Sequence, residues 1–570
     1  MRSRHDSPIR LFSLCIAALL TVLLPVAAQA QAYVGRPKLI VLIVIDQFRG
    51  DYINRDLALF KGRGFRLFTD EGAWFTDCYY DYANTKTAPG HSTIATGAYS
   101  DGHGIDSNEW WDASRSDEHM VSSVEDERYQ LVDLPPSSIP AGKPGYAVGA
   151  SPLNLRATSF GDELRLATQG RARVFGVSLK DRAAILTAGQ AANGAFWIDQ
   201  SSGQFTTSTY YMQHLPEWAR AFNASGRIAQ AEREADAVGT KRFFEDVGKT
   251  PAANRYELDF AKALITNEKL GQDGVTDLVT ISLSANDLQG HQFGPDSESE
   301  QKMILSLDHD LGTFFTWLDQ NIGLNNVWLA LTADHGVAPV PSVAAKLGIH
   351  SATVNLNTLY ASLNAALNAR YSPGGSVNYL MPDPELPYIV LDRRAFEKIH
   401  IDEQTAEDAV AALLPAAVES QAPKPDGPLP LQHKMLPTPQ VVGTYTRLQL
   451  ANGQLPPTEF GRELAHSYAY HGNWEVMLVL AGYQMDGSPD RTGTTHFSPW
   501  SYDRHVPLAF YGAPFVPGEY HERVAPVDLA VTLASLAGTN QPSAAVGRVL
   551  TEALKPIHRA GQMESHVQGR

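Results

Sequence analysis

Runs of apolar, β-branched residues recur along the chain, and several of them end abruptly in polar residues. The clearest runs cover residues 38–45, 173–177, 277–283 and 327–331. Uninterrupted runs of this length are typical of strands that are buried on both faces of a parallel sheet. Because the sites of open α/β folds lie at the carboxyl edge of the sheet, the polar residues that follow these runs are the first candidates for function.

Other segments have the periodicity of helices. Residues 300–321 place their apolar side chains on one side, and residues 527–537 form a further helix that ends at Gly538. A helix is also expected to begin immediately behind Thr87. Strands that alternate with helices predict an α/β fold with a mainly parallel central sheet flanked by helices.

The pattern loosens between residues 340 and 461, where short helical pieces alternate with proline-rich stretches such as 422–428. We interpret the segment 340–461 as an inserted subdomain or cap. The core then has two parts, residues 31–339 and 462–555, and the second part is expected to resume with a strand at 474–481. Residues 556–570 are expected to form a tail.

The first 30 residues are not expected to belong to the fold. Arg2, Arg4 and Arg10 precede an uncharged apolar run at 11–24, and Ala28-Gln29-Ala30 is a small-residue cleavage motif. This arrangement predicts a secretory signal peptide at 1–30, with a membrane anchor as the alternative. No later segment approaches about 18 uncharged apolar residues. We therefore expect a periplasmic or secreted protein without membrane association after cleavage.

Charge and cysteine content narrow the class further. The 570 residues carry a formal net charge of −16, and an acidic surface argues against non-specific binding of nucleic acid. Of the two cysteines, Cys15 lies in the predicted signal peptide, so Cys78 has no intramolecular disulfide partner. Cys78 is expected to be buried as a small apolar residue. The core and bound metal ions would then stabilise the exported protein.

Carboxylate and imidazole side chains collect where the strands end. Six of them follow strands or lie in a late loop: Asp46, Asp287, His291, Asp334, His335 and His496. Asp287 and His291 have the i, i+4 spacing that aligns side chains on a helix. Three aspartates and three histidines suit two divalent ions, zinc above all. For Asp46 alone, a turn or cap residue is an equal alternative.

Thr87 stands before Ala88-Pro89-Gly90-His91, where a helix is expected to start. The free N–H groups and positive dipole end of a helix N-terminus form a seat for an anion such as phosphate. Thr87 would lie beside that seat as a nucleophile. An ordinary helix cap is the alternative interpretation.

Two cations and an amide could complete an anion site. Lys180 and Arg182 follow the strand at 173–177, and in an extended chain their side chains would point to the same side. Their apolar flanks favour a position in a cleft over a solvated surface pair. Asn108 lies in a loop rich in Gly, His and Asn, and the residues alone leave open whether it is a turn residue or a ligand.

Together these stretches resemble the alkaline phosphatase superfamily, and within it the bacterial single-chain alkaline phosphatases of the phosphate-irrepressible type. The matching motifs follow the family's order over roughly residues 38–540: 42–48, 87–91, 104–110, 179–184, 284–295, 332–336, 493–496 and 503–507.

The resemblance implies two zinc ions per chain and a transiently phosphorylated Thr87. Three residues would hold one ion and four would meet the other: Asp287, His291 and His496, and Asp46, Thr87, Asp334 and His335. The phosphoryl oxygens would be bound by Asn108, Lys180 and Arg182. The expected function is hydrolysis of small phosphate monoesters by a monomer, and the sequence indicates no additional structural ion.

Two alternatives remain open. Phosphodiesterases and nucleotide pyrophosphatases of the same superfamily resemble this metal set, but the Lys180 and Arg182 pair argues against them. A non-catalytic, metal-dependent binding protein would show gaps in the set, and no member is missing. Sulfatases need a cysteine or serine precursor where Thr87 stands, so they are disfavoured.

Overall fold

A nine-stranded sheet forms the centre of the structure, a computed structural model that describes residues 35–556 apart from 113–119, 136–137, 139–147, 423–437, 471, 473 and 488–492. In chain order its strands are β1 (Leu39–Ile45), β2 (Ala73–Phe75), β3 (Val174–Ser178), β4 (Gly194–Ile198), β5 (Phe205–Thr206), β6 (Asp277–Leu283), β7 (Val327–Thr332), β8 (Leu508–Tyr511) and β9 (Gly518–Tyr520). They lie side by side in the order β9-β2-β8-β7-β1-β6-β3-β4-β5.

The five inner strands, β7, β1, β6, β3 and β4, are parallel, and β8 runs antiparallel beside β7. All seven residues of β1 are buried, as its apolar sequence predicts. Ile45 pairs with Leu283, and Val44 pairs with Thr332. This register brings the carboxyl ends of β1, β6 and β7 to one edge. The prediction of an α/β fold with a mainly parallel central sheet is confirmed.

Helices cover both faces of the sheet. Those that concern the site are α1 (Thr87–Thr96), α2 (Asp181–Ala188), α3 (Pro251–Asn267), α4 (Ala285–Phe293), α5 (Glu298–Asn321) and α6 (Val527–Ala537). On one face α2 packs closely over Gly176, where a side chain would collide with the carbonyl of Ala184. On the other face Phe196 of β4 packs against Phe260 of α3, with ring centroids 5.4 Å apart.

Shorter elements complete the core. The additional helices are Tyr52–Asp56, Phe65–Glu71, Ser100–His103, Phe160–Ala167, Glu217–Asn223, Arg227–Glu234, Phe243–Asp246, Pro341–Lys346 and Ser501–Arg504, with 3-10 turns at Leu324–Asn326 and Thr551–Ala553. Two strand pairs lie outside the central sheet: Glu109–Trp110 with Val121–Ser122, and Glu125–Gln130 with Val148–Ala150.

A second, smaller unit follows β7 in the chain, and we call residues 352–486 the insertion. Its three-stranded sheet has the spatial order Tyr388–Ile389, Val476–Leu480, Val441–Thr446, and a further pair joins Ala352–Val354 to Gln484–Asp486. Its helices are Leu356–Tyr371, Arg393–Glu397, Glu403–Glu419, Arg447–Ala451 and Glu459–His466. These elements enclose a hydrophobic core of their own.

The predicted return to the core at residue 462 differs from the structure. The strand predicted at 474–481 forms at Val476–Leu480, but it pairs with Tyr388–Ile389 and Val441–Thr446 rather than with the central sheet. A continuous apolar run indicates a buried strand without indicating which sheet buries it. The central sheet resumes only at β8.

Three predictions fall outside the described residues: the signal peptide at 1–30, the proline-rich stretch beyond residue 422, and the tail beyond residue 556. Within the described part of the chain, no helix has both the length and the apolar character needed to cross a bilayer. Cys78 is fully buried and unpaired, as its sequence context predicts.

Candidate active site

The carboxyl ends of β1, β6 and β7 place three buried carboxylates together. Asp46 follows β1 directly, and its backbone N–H donates to the carbonyl of Leu283 at 3.0 Å. Asp287 lies in the first turn of α4, and Asp334 follows β7. Gln47 turns the chain after Asp46 with a left-handed φ of 59°, and its backbone N–H donates to Asp334 Oδ1 at 3.0 Å.

Two groups of buried side chains could each hold a metal ion. Asp287, His335 and His496 form one group, and Asp46, Asp334 and His335 form the other, with candidate ligand atoms within 4.8 Å of one another. Asp46 Oδ1, Asp334 Oδ2 and His335 Nε2 are buried without a hydrogen-bond partner. An unpaired buried polar atom costs about 1–3 kcal/mol, and a bound cation would satisfy all three. Carboxylate oxygens and imidazole nitrogens are common zinc ligands, so the residues fit a zinc site.

Backbone carbonyls orient the three histidines. In each ring Nδ1 donates to a carbonyl oxygen: His335 to Gly336 at 2.9 Å, His291 to Thr494 at 3.0 Å, and His496 to Thr85 at 2.6 Å. Because a carbonyl can only accept, Nδ1 carries the hydrogen and Nε2 of a neutral ring presents its lone pair. Such hydrogen bonds are the usual way of fixing the tautomer of a metal-binding histidine.

His291 lies beside the first group rather than within it. Its Nε2 is 3.1 Å from Asp287 Oδ1, and its ring centroid is 5.1 Å from that of His496. His335 instead belongs to both groups, and its ring stacks on His496 with centroids 3.7 Å apart. The structure therefore brings all six predicted acidic and histidine residues together, with His335 between the two predicted ion positions.

Burial and neighbouring charges shift the pKa values of these carboxylates and histidines. Burial, together with the charges of Asp287 and Asp334, raises the pKa of Asp46 well above its usual value. Burial acts to raise the pKa of Asp287 too, but Lys180 and the nearby histidines outweigh it and hold that pKa well below its usual value. Burial, aided by the neighbouring histidines, lowers the pKa of His496. A neutral imidazole among crowded carboxylates is suited to bind a cation.

Lys180 and Arg182 do not form the extended pair predicted from the sequence. Lys180 is extended, but Asp181 already begins α2, so Arg182 lies in the first helical turn. The Lys180 ammonium donates to Asp46 Oδ2 at 2.5 Å and to Asp287 Oδ2 at 2.6 Å. A cation thus already bridges carboxylates from both predicted ion positions. The Arg182 side chain is mostly buried, and its Nε has no hydrogen-bond partner.

Thr87 is the first residue of α1, whose ten residues are all buried. The backbone N–H of Ala88 donates to Asn108 Oδ1 at 2.8 Å, which places Asn108 at the helix N-terminus beside Thr87. A side chain at Gly90 would collide with the carbonyl of Asp334. Glycine therefore lets α1 approach the carboxylates, and the predicted nucleophile, amide and metal ligands share one region.

Three supporting residues were missed by the sequence analysis. The Gln47 side-chain amide donates to Asp287 Oδ1 at 2.7 Å. Glu257 of α3 accepts from the backbone N–H of Leu179 at 2.7 Å and so holds the turn before Lys180. Lys86, which directly precedes Thr87 in the chain, is a fully buried cation. The sequence does place Glu257 on the buried face of α3, and this charged residue among apolar ones is a signal that could have been used. Gln47 and Lys86 carry no comparable signal.

Comparisons with known proteins agree with this geometry. A profile of the family described as type I phosphodiesterase / nucleotide pyrophosphatase matches residues 40–446. The alkaline phosphatase PhoV of Synechococcus elongatus is 32% identical over 92% of this chain and 94% of its own length. A protein of Myroides odoratus named calcium-transporting ATPase is 30% identical over 93% of this chain and 97% of its own length. The crystal structure of the alkaline phosphatase PafA, known from Elizabethkingia meningoseptica, superposes with a TM-score of 0.78 at 29% identity, covering 92% of this chain and 100% of PafA.

Proposed function

This chain belongs to the type I phosphodiesterase / nucleotide pyrophosphatase family within the alkaline phosphatase superfamily, and on that premise we propose that it hydrolyses phosphate monoesters at a site that holds two zinc ions. The observation that carries the proposal is the pair of buried ligand groups with unpartnered atoms at the carboxyl edge of the sheet. Asp334 of one group also contacts α1, because His91 Nδ1 lies 3.3 Å from Asp334 Oδ2. The relatives PhoV and PafA carry the name alkaline phosphatase.

Thr87 is the nucleophile in this proposal. Its oxygen forms a bond to phosphorus while the bond from phosphorus to the ester oxygen breaks. The Thr87 proton goes to solvent, and the departing oxygen takes up a proton. Water then attacks the phospho-threonine, which releases inorganic phosphate and restores the hydroxyl. Two bound ions supply positive charge that eases loss of the Thr87 proton and offsets the charge on the departing oxygen.

Asn108, Lys180 and Arg182 bind the phosphoryl oxygens in this proposal. Asn108 Oδ1 accepts from Ala88 N–H, so its amide NH₂ group is the donor for substrate. Asp46 and Asp287 would hold metal ions, and the Lys180 ammonium, which contacts both carboxylates, would then be available to a phosphoryl oxygen. A solved PafA variant supports this set, since it is substituted at a threonine, an asparagine, a lysine and an arginine. The Thr–Asn interval and the Lys–Arg interval equal those of the residues proposed here.

The location of the protein is a further part of the proposal. Residues 1–30 have the layout of a signal peptide, so the enzyme would act in the periplasm or outside the cell. We propose that the active unit is a monomer, in which one chain supplies every residue of the site. Its substrates would be small phosphate monoesters.

A comparison of substrates, combined with metal analysis, tests the proposed function. The purified protein is given 4-nitrophenyl phosphate, bis(4-nitrophenyl) phosphate and ATP, and kcat/KM is measured for each while bound metal is quantified. We expect a preference for the monoester, close to two zinc ions per chain, and loss of turnover after chelation. A preference for the diester would assign the chain to phosphodiesterases, and full activity in metal-free protein would refute the zinc site. ATP is included because hydrolysis of a phosphoanhydride uses the same phosphoryl chemistry.

A further inference from the structure

Lys86 is a buried cation that has no assigned role in the proposed reaction. Its side chain has no exposed surface, and its ammonium donates to Ser107 Oγ at 3.1 Å and to Glu385 Oε2 at 2.5 Å. Two aromatic rings face the same ammonium, with Nζ 4.6 Å from the centroid of Phe497 and 5.6 Å from that of Tyr388. Two hydrogen bonds and two cation–π contacts therefore surround the ammonium.

Lys86 and two of its partners lie next to residues of the candidate active site in the chain. Lys86 directly precedes Thr87, Ser107 directly precedes Asn108, and Phe497 directly follows His496. The loop at Phe497 is also tied to the nucleophile turn, because Thr85 Oγ1 accepts from the backbone N–H of Phe497 at 3.2 Å. A single ammonium therefore connects the three segments that carry the nucleophile, the amide and a metal ligand.

The remaining two partners belong to the insertion. Glu385 and Tyr388 lie at the start of its three-stranded sheet, and Glu385 keeps 35% of its side chain exposed. A buried ammonium without a counter-charge is strongly unfavourable. Glu385 is the carboxylate in direct contact with the Lys86 ammonium, and it could be solvated without Lys86.

We propose that Lys86 is a positioning residue through which Glu385 of the insertion holds Thr87 and Asn108 in their places for phosphoryl transfer. The inference rests on the proposed function. The insertion then contributes to catalysis by positioning residues of the core. Since a displacement of about 1 Å at a reacting group can lower a rate by about a hundredfold, loosening this contact should act mainly on kcat.

A double-mutant cycle tests the coupling. Wild type, Lys86→Met, Glu385→Gln and the double variant are compared for kcat and KM with 4-nitrophenyl phosphate and for zinc content. We expect Lys86→Met to lower kcat by about ten- to a hundredfold with KM within about threefold and zinc content unchanged. Glu385→Gln should lower kcat by about tenfold, and the double variant should be no slower than Lys86→Met.

Arg462 and Asp81 provide a matched control. They form an ion pair at 2.6 Å that also joins the insertion to the core, but they leave Thr87 and Asn108 untouched. Arg462→Met should keep kcat within about twofold of wild type. The inference is overturned if Lys86→Met and Glu385→Gln turn over like wild type, or if their effects simply multiply in the double variant. If Lys86→Met does not fold, Glu385→Gln decides alone. Inactivity of the wild type itself would instead refute the proposed function.

Discussion

Shortening Gln47 by one methylene should weaken zinc binding without disturbing the backbone. Gln47 has φ 59°, a conformation that asparagine tolerates well, so Gln47→Asn avoids new strain. The variant keeps the hydrogen bond from the backbone N–H of residue 47 to Asp334 Oδ1. Its shorter side-chain amide no longer reaches Asp287 Oδ1, to which the wild-type Gln47 amide donates at 2.7 Å. A hydrogen bond to a charged group contributes about 1.5–3 kcal/mol. At about 1.4 kcal/mol per factor of ten, zinc affinity should fall about ten- to a hundredfold.

The measurement is a zinc titration in competition with a chelator of known affinity. Gln289→Asn is the matched control, because Gln289 lies in the same helix as Asp287 and donates to the carbonyl of Ser299 at 2.9 Å. It loses a side-chain amide hydrogen bond in the same helix without touching a candidate ligand, so its zinc affinity should stay at the wild-type value. If Gln47→Asn binds zinc as tightly as Gln289→Asn, the amide of Gln47 does not orient Asp287 and this reasoning fails.

Three further predictions concern turnover and stability. Thr87→Ala should abolish turnover while Thr87→Ser keeps part of it, and a chiral phosphate ester should react with retention at phosphorus; inversion would mean direct attack by water. Replacing Lys180 and Arg182 by alanine should lower monoesterase kcat/KM by several powers of ten and diesterase activity much less, and an equal loss would contradict their part in selecting monoesters. Burial raises the pKa of Glu300 to about 8 from 4.5. The folded state therefore holds a proton that the unfolded chain releases, so the free energy of unfolding should fall from roughly pH 5 to pH 8, and Glu300→Gln should flatten this profile in denaturant titrations.

The sequence predicted well those elements whose position is determined by residues close together in the chain. β1 and β6 form within one residue of their apolar runs, because every residue in them is buried. Helix α6 spans Val527–Ala537 as predicted, since Gly538 takes the left-handed conformation that ends it. The strand at Val476–Leu480 was found but assigned to the wrong sheet, because its pairing partners lie far away in the chain.

The same distinction applies to the candidate site. Aspartates and histidines at strand ends could be predicted from the sequence, because a polar residue after a buried parallel strand lies at the carboxyl edge of the sheet, where sites form. The early start of α2 separated Lys180 from Arg182, and extended-chain geometry therefore gave the wrong arrangement for that pair. Gln47 and Lys86 bind partners 240 and 299 positions away, so nothing in their own neighbourhood marks them.

The insertion leaves and rejoins the core at points that allow its length to change almost freely. The chain departs after His335 and returns before His496, so the whole insertion is one long loop closed between two candidate ligands of one ion group. Closure entropy grows only with the logarithm of loop length, and each doubling adds about 0.6 kcal/mol. Lengthening or trimming the far side of the insertion should therefore barely change the energy of bringing His335 and His496 together. The position of Glu385 is not free in the same way, because its carboxylate must still reach Lys86.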